Sequence, residues 1–280
     1  MSSSLEQTGT LLSRDGTRLF YREWLAENPR AAVQIVHGLG EHSGRYVHVA
    51  KRLNAHGISV RAHDHRGHGR SDGRRGALGT RLDLVNHLKL VFEDFARQQR
   101  TTPFLLGHSL GGLVAAYYAT HGISPVRGLI LSSPALAIRM SLAQRILLAV
   151  TGRIAPRLQV NNGLDVNALS HDAAVVAAYR ADPFNHDRVT PGLVRFMLDA
   201  IPAVVARAPA LPMSALLLVA GADRLVLAEG SRRFAELLPP GRGTLRWYDD
   251  AFHEIFNETP ARRAHALEDL MVWIDAQMAG

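Results

Sequence analysis

The chain has 280 residues, of which 47% are apolar, and it contains no cysteine. This length fits one domain with an insertion or at most two small domains, and the lack of cysteine excludes disulfide bonds, thiolate metal sites and a cysteine nucleophile. The formal charge of +7 comes mainly from scattered arginines, which argues against nucleic-acid binding and leaves either an arginine-biased composition or contact with an anionic membrane surface.

Signals that would direct the chain into or across a membrane are absent from the sequence. No window reaches roughly 18 uninterrupted apolar residues, the length expected of a transmembrane helix. Residues 1–7 carry neither a basic segment nor an apolar one, so we predict no signal peptide. We expect a cytoplasmic protein, with peripheral membrane contact as the alternative.

Continuous apolar strands alternate with amphipathic helices along most of the chain. This alternation predicts an α/β fold with a mostly parallel, eight-stranded sheet and helices on both of its faces. A hairpin is predicted first, around the turn dipeptide Asp15-Gly16. In chain order, the hairpin covers residues 10–24, the later strands 31–36, 58–62, 104–106, 126–132, 215–220 and 244–248, and the helices 46–56, 82–99, 110–118 and 260–278.

The interval 134–208 breaks this alternation, since it holds no clear strand and its apolar residues recur at helical spacing. We interpret it as a helical cap inserted into a single domain that spans residues 1–280. One apolar stripe in this cap is flanked by arginines. We expect the stripe to pack on the sheet and line a pocket, although a lipid surface is the alternative. The stripe is Leu142, Ile146, Leu147 and Val150, and the arginines are Arg139, Arg145, Arg153 and Arg157.

Residues 107–111 form a G-x-S-x-G sequence between a predicted strand and a predicted helix. This context is typical of a nucleophile elbow, in which the serine hydroxyl projects from a strained turn into a cleft. Gly107 and Gly111 would let neighbouring backbone pass close to the turn, and the helix N-terminus would favour developing negative charge. We therefore predict Ser109 to be a catalytic nucleophile.

A serine hydroxyl needs a base to take its proton, and that base needs a third group to orient it. Asp223 follows the predicted strand 215–220, and His253 follows the strand 244–248, in the chain order serine, acid, histidine that is expected of an α/β-hydrolase. Catalytic groups gather at these carboxyl ends of the strands. Competing acids lie too close in sequence to His253 to reach it from another strand end: Asp249, Asp250 and Glu254.

The tetrahedral intermediate of acyl transfer needs two N–H donors. We predict the backbone N–H of Leu110, which follows the nucleophile, and the backbone N–H of Leu39, in the glycine-containing loop after the strand 31–36. His108 is expected to point into the fold. Three nearby histidines resemble a metal cluster, but the sequence around them lacks the other ligands that a zinc site requires. They are His63, His65 and His68.

Several of these segments together resemble a known family, the monoacylglycerol lipases and related lysophospholipase-like serine hydrolases of the α/β-hydrolase superfamily. The ten residues 37–46 are the most specific part, because the elbow alone would indicate only the superfamily. The resemblance runs from about residue 10 to the C-terminus and is weakest in the cap. The segments that carry it are residues 37–46, 64–71, 107–112, 221–226 and 253–254.

The resemblance implies hydrolysis of a single-chain glycerol ester through an acyl-enzyme, with no metal or cofactor. We expect a small-molecule acyl ester as the partner, no nucleic acid, and a monomer or a homodimer. The resemblance also implies polar contacts to glycerol from Glu41 and Arg45, which would equally suit a salt bridge that holds the loop. Tyr179, just before Asp182-Pro183, matches a tyrosine that takes part in the family.

Alternatives remain at this stage. A lysophospholipase or general carboxylesterase would use the same residues, and so would a peptidase that removes N-terminal residues. The alternative from another class is an inactive α/β-hydrolase that binds lipids, although the complete set of Ser109, Asp223 and His253 argues against it.

Overall fold

A large central sheet organises the fold. The computed structural model describes residues 5–279, without the side chains of residues 143–147 and 149. The strands are β1 Gln7–Leu12, β2 Arg18–Trp24, β3 Ala31–Val36, β4 Ile58–His63, β5 Phe104–His108, β6 Leu129–Ser132, β7 Val160–Asn161, β8 Arg188–Val189, β9 Ala215–Ala220 and β10 Gly243–Tyr248. The α-helices are α1 Val47–Asn54, α2 Asp83–Gln99, α3 Ser109–Thr120, α4 Leu142–Ile154, α5 Ala173–Ala181, α6 Pro191–Arg207, α7 Ala228–Leu237 and α8 Pro260–Ala279.

The sheet has eight strands in the order β1-β2-β4-β3-β5-β6-β9-β10. β2 is antiparallel to β1 and β4, and the other neighbouring strands are parallel. The predicted mostly parallel sheet is therefore confirmed. Because parallel strands end at the same edge, the loops after β3, β5, β9 and β10 meet there.

The central strands β3, β4, β5, β6 and β9 are buried on both faces, because their side chains alternate between two hydrophobic cores. In β5, Leu105 belongs to one core, and Phe104 and Leu106 belong to the other. The first core includes side chains of α2, α3 and α7, and the second includes side chains of α1 and α8. Helices thus cover both faces, as the continuous apolar strands predicted.

Two features of the fold lie outside the sequence predictions. α7 was not predicted, since Gly230 and the polar residues after it interrupt its apolar spacing. The interval 134–208 was expected to hold no strand, yet β7 pairs antiparallel with β8. Each of these strands has two residues, which is too short for alternation to show in the sequence.

We refer to residues 134–208 as the cap segment, which leaves the sheet after β6. Its helix α6 packs against α3 and α4. Thr190 caps the N-terminus of α6, since its hydroxyl accepts a hydrogen bond from the N–H of Leu193. The expectation that the α4 stripe packs on the sheet is wrong for Leu142 and Val150, which are 74% and 52% exposed. The side chains of Arg145, Ile146 and Leu147 lie outside the described residues. Among the described helices, none is long and apolar enough to cross a bilayer.

Replacing Phe104 tests how strongly core packing holds β5. Phe104 is fully buried and contacts the ring of Trp273, so we expect Phe104→Ala to lower the free energy of unfolding by about 3–5 kcal/mol. The control is Leu12→Ala, since Leu12 is 68% exposed and its loss should cost less than about 0.5 kcal/mol. Urea denaturation measures both, and equal effects would contradict the assigned core.

Candidate active site

Ser109 sits at the junction between β5 and α3 in a strained backbone conformation. Its φ is +52°, in the left-handed region that non-glycine residues rarely adopt. Close backbone approach requires the glycines on either side. A Cβ on Gly107 would lie 2.4 Å from the carbonyl oxygen of Gly111, and one on Gly111 would lie 2.2 Å from that of Val36. The turn therefore holds Ser109 at the carboxyl edge of the sheet, with α3 beginning at that residue.

His253 and Asp223 come from the loops after β10 and β9 and meet at the same edge. Nδ1 of His253 lies 2.6 Å from one carboxylate oxygen of Asp223. The other oxygen accepts hydrogen bonds from the N–H groups of Leu225 and Val226, at 2.8 and 3.0 Å. The carboxylate is thus fixed by its own loop and turned toward the imidazole.

Electrostatics favour charge on both members of this pair. Burial lowers the pKa of His253, but the Asp223 carboxylate more than offsets this effect, so the pKa is raised overall. Burial likewise raises the pKa of Asp223, yet His253 and the two backbone hydrogen bonds lower it below its usual value. An imidazolium that forms at His253 would therefore be stabilised.

Two of the three competing acids are engaged elsewhere. Asp250 forms an ion pair with Arg262 at the surface, and Glu254 forms a buried one with Arg45. Asp223 is the carboxylate that contacts the ring of His253.

Ser109 and His253 line one cavity of about 390 Å³. Its walls come from the elbow, from the loop after β3 and from the cap segment. Ser109 and His253 also line a smaller cavity of about 30 Å³, together with Glu41 and Tyr179. Apolar side chains dominate the part of the larger cavity that the cap segment supplies: Leu148, Leu158, Val160, Leu164, Val194 and Met197.

The loop after β3 lies directly against the elbow. A Cβ on Gly38 would lie 3.2 Å from the Cβ of Ser109, and Leu39 lines both cavities beside Ser109. Leu110 lines the larger cavity. Among the described residues, no acceptor takes a hydrogen bond from the backbone N–H of Leu39 or of Leu110. Both groups are therefore available to a ligand next to Ser109.

Glu41 and Arg45 form a salt bridge at 3.1 Å and are both largely buried. One oxygen of Glu41 also accepts hydrogen bonds from the N–H of Gly38 at 2.6 Å and from the hydroxyl of Tyr46 at 2.7 Å. These contacts favour a role in holding the loop. Glu41 lines the smaller cavity, whereas Arg45 is not among the described residues that line either cavity.

Tyr179 joins the cap segment to the same loop. Its hydroxyl donates a hydrogen bond to the carbonyl oxygen of Gly40 at 3.0 Å, and the guanidinium of Arg45 lies 4.7 Å from the centre of its ring. The structure therefore brings Tyr179, Glu41 and Arg45 together, with Tyr179 and Glu41 facing the smaller cavity.

His108 is buried as expected and lies beside His253, with 4.8 Å between the ring centres. Its Nδ1 donates a hydrogen bond to the carbonyl oxygen of Ser132 at 3.1 Å. Burial, and then the proximity of His253, lower the pKa of His108 to about 3. A neutral His108 places no positive charge next to His253.

His37 holds the backbone near the site. Nε2 of His37 accepts a hydrogen bond from the N–H of His65 at 2.9 Å, and its Nδ1 donates to the carbonyl oxygen of Gly38 at 2.8 Å. The rings of His63 and His68 pack against His65. Within the described part of the chain, no group of three or more His, Asp or Glu side chains is arranged to hold a metal ion.

Sequence reasoning missed the pairing of Glu254 with Arg45 and most of the cavity lining in the cap segment. Glu254 and Arg45 are 209 positions apart, and no local pattern links them. The lining residues Leu158, Val160 and Leu164 are apolar, but nothing in their spacing shows which surface they face.

The mostly parallel eight-stranded sheet, the serine at a strand-to-helix elbow and the Asp–His pair from the next strand ends define an α/β-hydrolase. The chain belongs to the Hydrolase_4 family, described as serine aminopeptidase, S33, whose model matches residues 27–260.

Relatives within this class match the chain over nearly its whole length. A monoacylglycerol lipase of Mycolicibacterium smegmatis is 35% identical, over 98% of this chain and 99% of its own. A monoglyceride lipase of Rattus norvegicus is 31% identical, over 96% of this chain and 90% of its own. The crystal structure of a Paleococcus ferrophilus monoacylglycerol lipase superposes with a TM-score of 0.84 at 35% identity, covering 92% of this chain and 99% of that one.

Substituting Gly111 tests whether backbone proximity shapes the elbow. We expect Gly111→Ala to displace Ser109 and to lower labelling by a fluorophosphonate probe at least about 100-fold, because small displacements cost that much in such sites. The matched control is Gly152→Ala in α4, where a Cβ would meet nothing within 4 Å. Equal labelling of the two variants would show that the elbow does not depend on this contact.

Proposed function

We propose that this protein is a serine hydrolase that cleaves monoacylglycerols into a fatty acid and glycerol. The observation that carries the proposal is the geometry around one cavity: Ser109, on its left-handed turn, shares the cavity with His253, which pairs with Asp223 at 2.6 Å. The relatives named as monoacylglycerol and monoglyceride lipases support glycerol esters as the substrate class.

In the acylation step, the Oγ of Ser109 attacks the ester carbonyl carbon while Nε2 of His253 takes the hydroxyl proton. The carbonyl oxygen becomes an oxyanion and accepts hydrogen bonds from the N–H groups of Leu39 and Leu110. Asp223 orients the ring and stabilises the imidazolium. The bond to the glycerol oxygen then breaks, and His253 gives its proton to that oxygen.

Deacylation repeats these steps with water as the nucleophile. His253 takes a proton from water, whose oxygen attacks the acyl carbon, and the same N–H groups hold the second oxyanion. The bond to Oγ breaks, the fatty acid leaves, and Ser109 regains its proton from His253. The histidine must be neutral at the start of each half-reaction, so activity falls as the pH drops through its pKa.

The larger cavity suits the acyl chain. Its volume of about 390 Å³ and its apolar walls would stabilise a bound chain by about 0.8 kcal/mol for each buried methylene. We propose that the cap segment serves as the roof of this cavity. The smaller cavity lies on the side of Glu41 and Tyr179, where we place the alcohol part of the ester.

Two experiments test the proposal: substitution of the nucleophile, and a panel of substrates for the unmodified enzyme. We expect Ser109→Ala to retain its fold by circular dichroism and to lose at least about 1,000-fold of its activity on a monoacylglycerol. The unmodified enzyme should hydrolyse the monoacylglycerol faster than a lysophospholipid of the same chain length and should not cleave aminoacyl p-nitroanilides.

The panel separates the alternatives. Similar rates on glycerol and phosphocholine headgroups would identify a general esterase or lysophospholipase, and cleavage of the anilides would identify an aminopeptidase. A protein that binds a fatty acid but neither reacts with a fluorophosphonate nor hydrolyses any ester would be a lipid-binding module. Unchanged activity in Ser109→Ala would reject the mechanism itself.

We further propose that the cap segment contacts the membrane peripherally. α4 and the residues after it expose an apolar surface, and Arg153 and Arg157 are exposed beside it. Contiguous exposed apolar side chains near basic residues are typical of a surface that binds anionic lipid. Two of these side chains, Leu158 and Val160, also line the larger cavity, which would shorten the path of a substrate from the bilayer. The exposed apolar residues are Leu142, Val150, Ile154, Leu158 and Val160.

A charge placed in this surface tests membrane contact. Ile154 is 77% exposed, and we expect Ile154→Glu to weaken binding to phosphatidylglycerol vesicles about tenfold or more through lost apolar burial and charge repulsion. The control is Val272→Glu, since Val272 is exposed on α8, which belongs to the other sheet face. Sedimentation measures binding, and p-nitrophenyl acetate hydrolysis should stay unchanged in both. Equal binding of both variants would contradict the proposal.

A further inference from the structure

Arg45 connects parts of the site that the chain brings from distant positions. Its guanidinium contacts one oxygen of Glu41 and both oxygens of Glu254, the latter through Nη1 and through Nη2 at 2.7 Å. All three side chains are at least nine-tenths buried. Burial of an ion pair carries a large desolvation cost, so these contacts are weak evidence for stability.

The carboxylate of Glu41 and the backbone of Glu254 each hold a segment that the proposed reaction uses. Glu41 accepts the N–H of Gly38 at 2.6 Å, immediately before Leu39. Glu254 directly follows His253, and its own N–H donates to the carbonyl oxygen of Leu169 in the cap segment at 2.9 Å. Arg45 therefore links the loop that carries one oxyanion donor to the loop that carries the base.

Glu41 and Glu254 line the smaller cavity together with His253, and they carry more negative charge than Arg45 compensates. Two carboxylates surround a single guanidinium, and Arg45 has no described acidic partner besides Glu41 and Glu254. The charged and titratable groups around His253 are Asp223, His108, Glu41, Glu254 and Tyr179, and Arg45 is paired with the two glutamates. Of these, Asp223 contacts the ring directly.

We propose that Glu41, Arg45 and Glu254 form a positioning chain that fixes the Leu39 loop relative to His253 and sets the proton affinity of that histidine. The inference rests on the proposed serine-hydrolase function and assigns Glu254 a role in it. In this view the salt bridge of Glu41 and Arg45 acts on the reaction through the loops that it joins.

Removing a negative or a positive charge from this group should shift the pKa of His253 in opposite directions, which provides a test. Glu254→Gln removes a carboxylate near His253, so its pKa should fall and the acidic limb of the kcat/KM profile should move to lower pH by at least about half a unit. Arg45→Met leaves both carboxylates uncompensated and should move the limb to higher pH. The double variant restores the original charge balance, so its limb should return toward that of the unmodified enzyme.

Arg45→Lys separates geometry from charge. Lysine keeps the positive charge but loses the forked contact with Glu254, so we expect kcat to fall about tenfold with little change in the pH limb or in KM for p-nitrophenyl acetate. The matched control is Glu23→Gln, which removes a buried carboxylate from Arg61 on the strands β2 and β4. It should lower thermal stability without moving the pH limb.

The pKa of His253 can also be measured by nitrogen-15 NMR titration of its ring in a Ser109→Ala background, which needs no turnover. It should be lowered by Glu254→Gln, raised by Arg45→Met and near the original value in the double variant. If the limb and the ring titration are the same in all variants while fluorophosphonate still labels Ser109, the inference is overturned and the hydrolase assignment stands. If the unmodified enzyme shows neither labelling nor ester hydrolysis, the proposed function fails, and the NMR order alone decides the inference. Should Arg45→Met not fold, Glu254→Gln and Arg45→Lys decide it.

Discussion

The site depends on the close approach of backbone segments at the end of β5. Ser109 can keep a φ of +52° only because the surrounding packing holds it there, since the left-handed region is unfavourable for a serine. Gly107 and Gly111 allow the first turn of α3 to lie against β5 and against the carbonyl groups at the end of β3. This contact brings the β3 loop, with Leu39, alongside the hydroxyl. The position of Ser109 relative to the β3 loop thus follows from backbone packing.

The charged side chains around His253 make a second contribution to the site. Asp223 contacts the ring of His253. Glu41 and Glu254, which share the single guanidinium of Arg45, line the smaller cavity with that ring, so the surrounding negative charge favours its charged form. A neutral His108 beside it adds no opposing charge. An imidazolium between fixed carboxylates is stabilised without reorganisation of solvent, which is the condition for electrostatic catalysis in a buried site.

Most of the sheet and the three residues of the proposed triad could be predicted from sequence because their signals are local. Strands such as 31–36 and 215–220 are continuous apolar runs, and Asp223 and His253 each follow such a run directly. The pairing of Arg45 with Glu254 could not be predicted, because it depends on two loops meeting at the sheet edge. For the same reason, the sequence favoured neither of two roles for Glu41 and Arg45, a contact with substrate or a salt bridge that holds the loop. Their hydrogen-bond partners in the structure favour the second role.

The cap segment shows where amphipathic spacing stops being informative. Spacing identifies an apolar stripe in α4 but does not say what covers it, and burial on the sheet is the usual outcome for a helix of this kind. Here Leu148 faces the larger cavity, whereas Leu142, Val150 and Ile154 are exposed. A helix with apolar side chains on both its cavity side and its outer side gives no single preferred face. Such a helix suits the proposed position between an acyl chain inside and lipid outside, and the helical period does not encode what lies on either side of a helix.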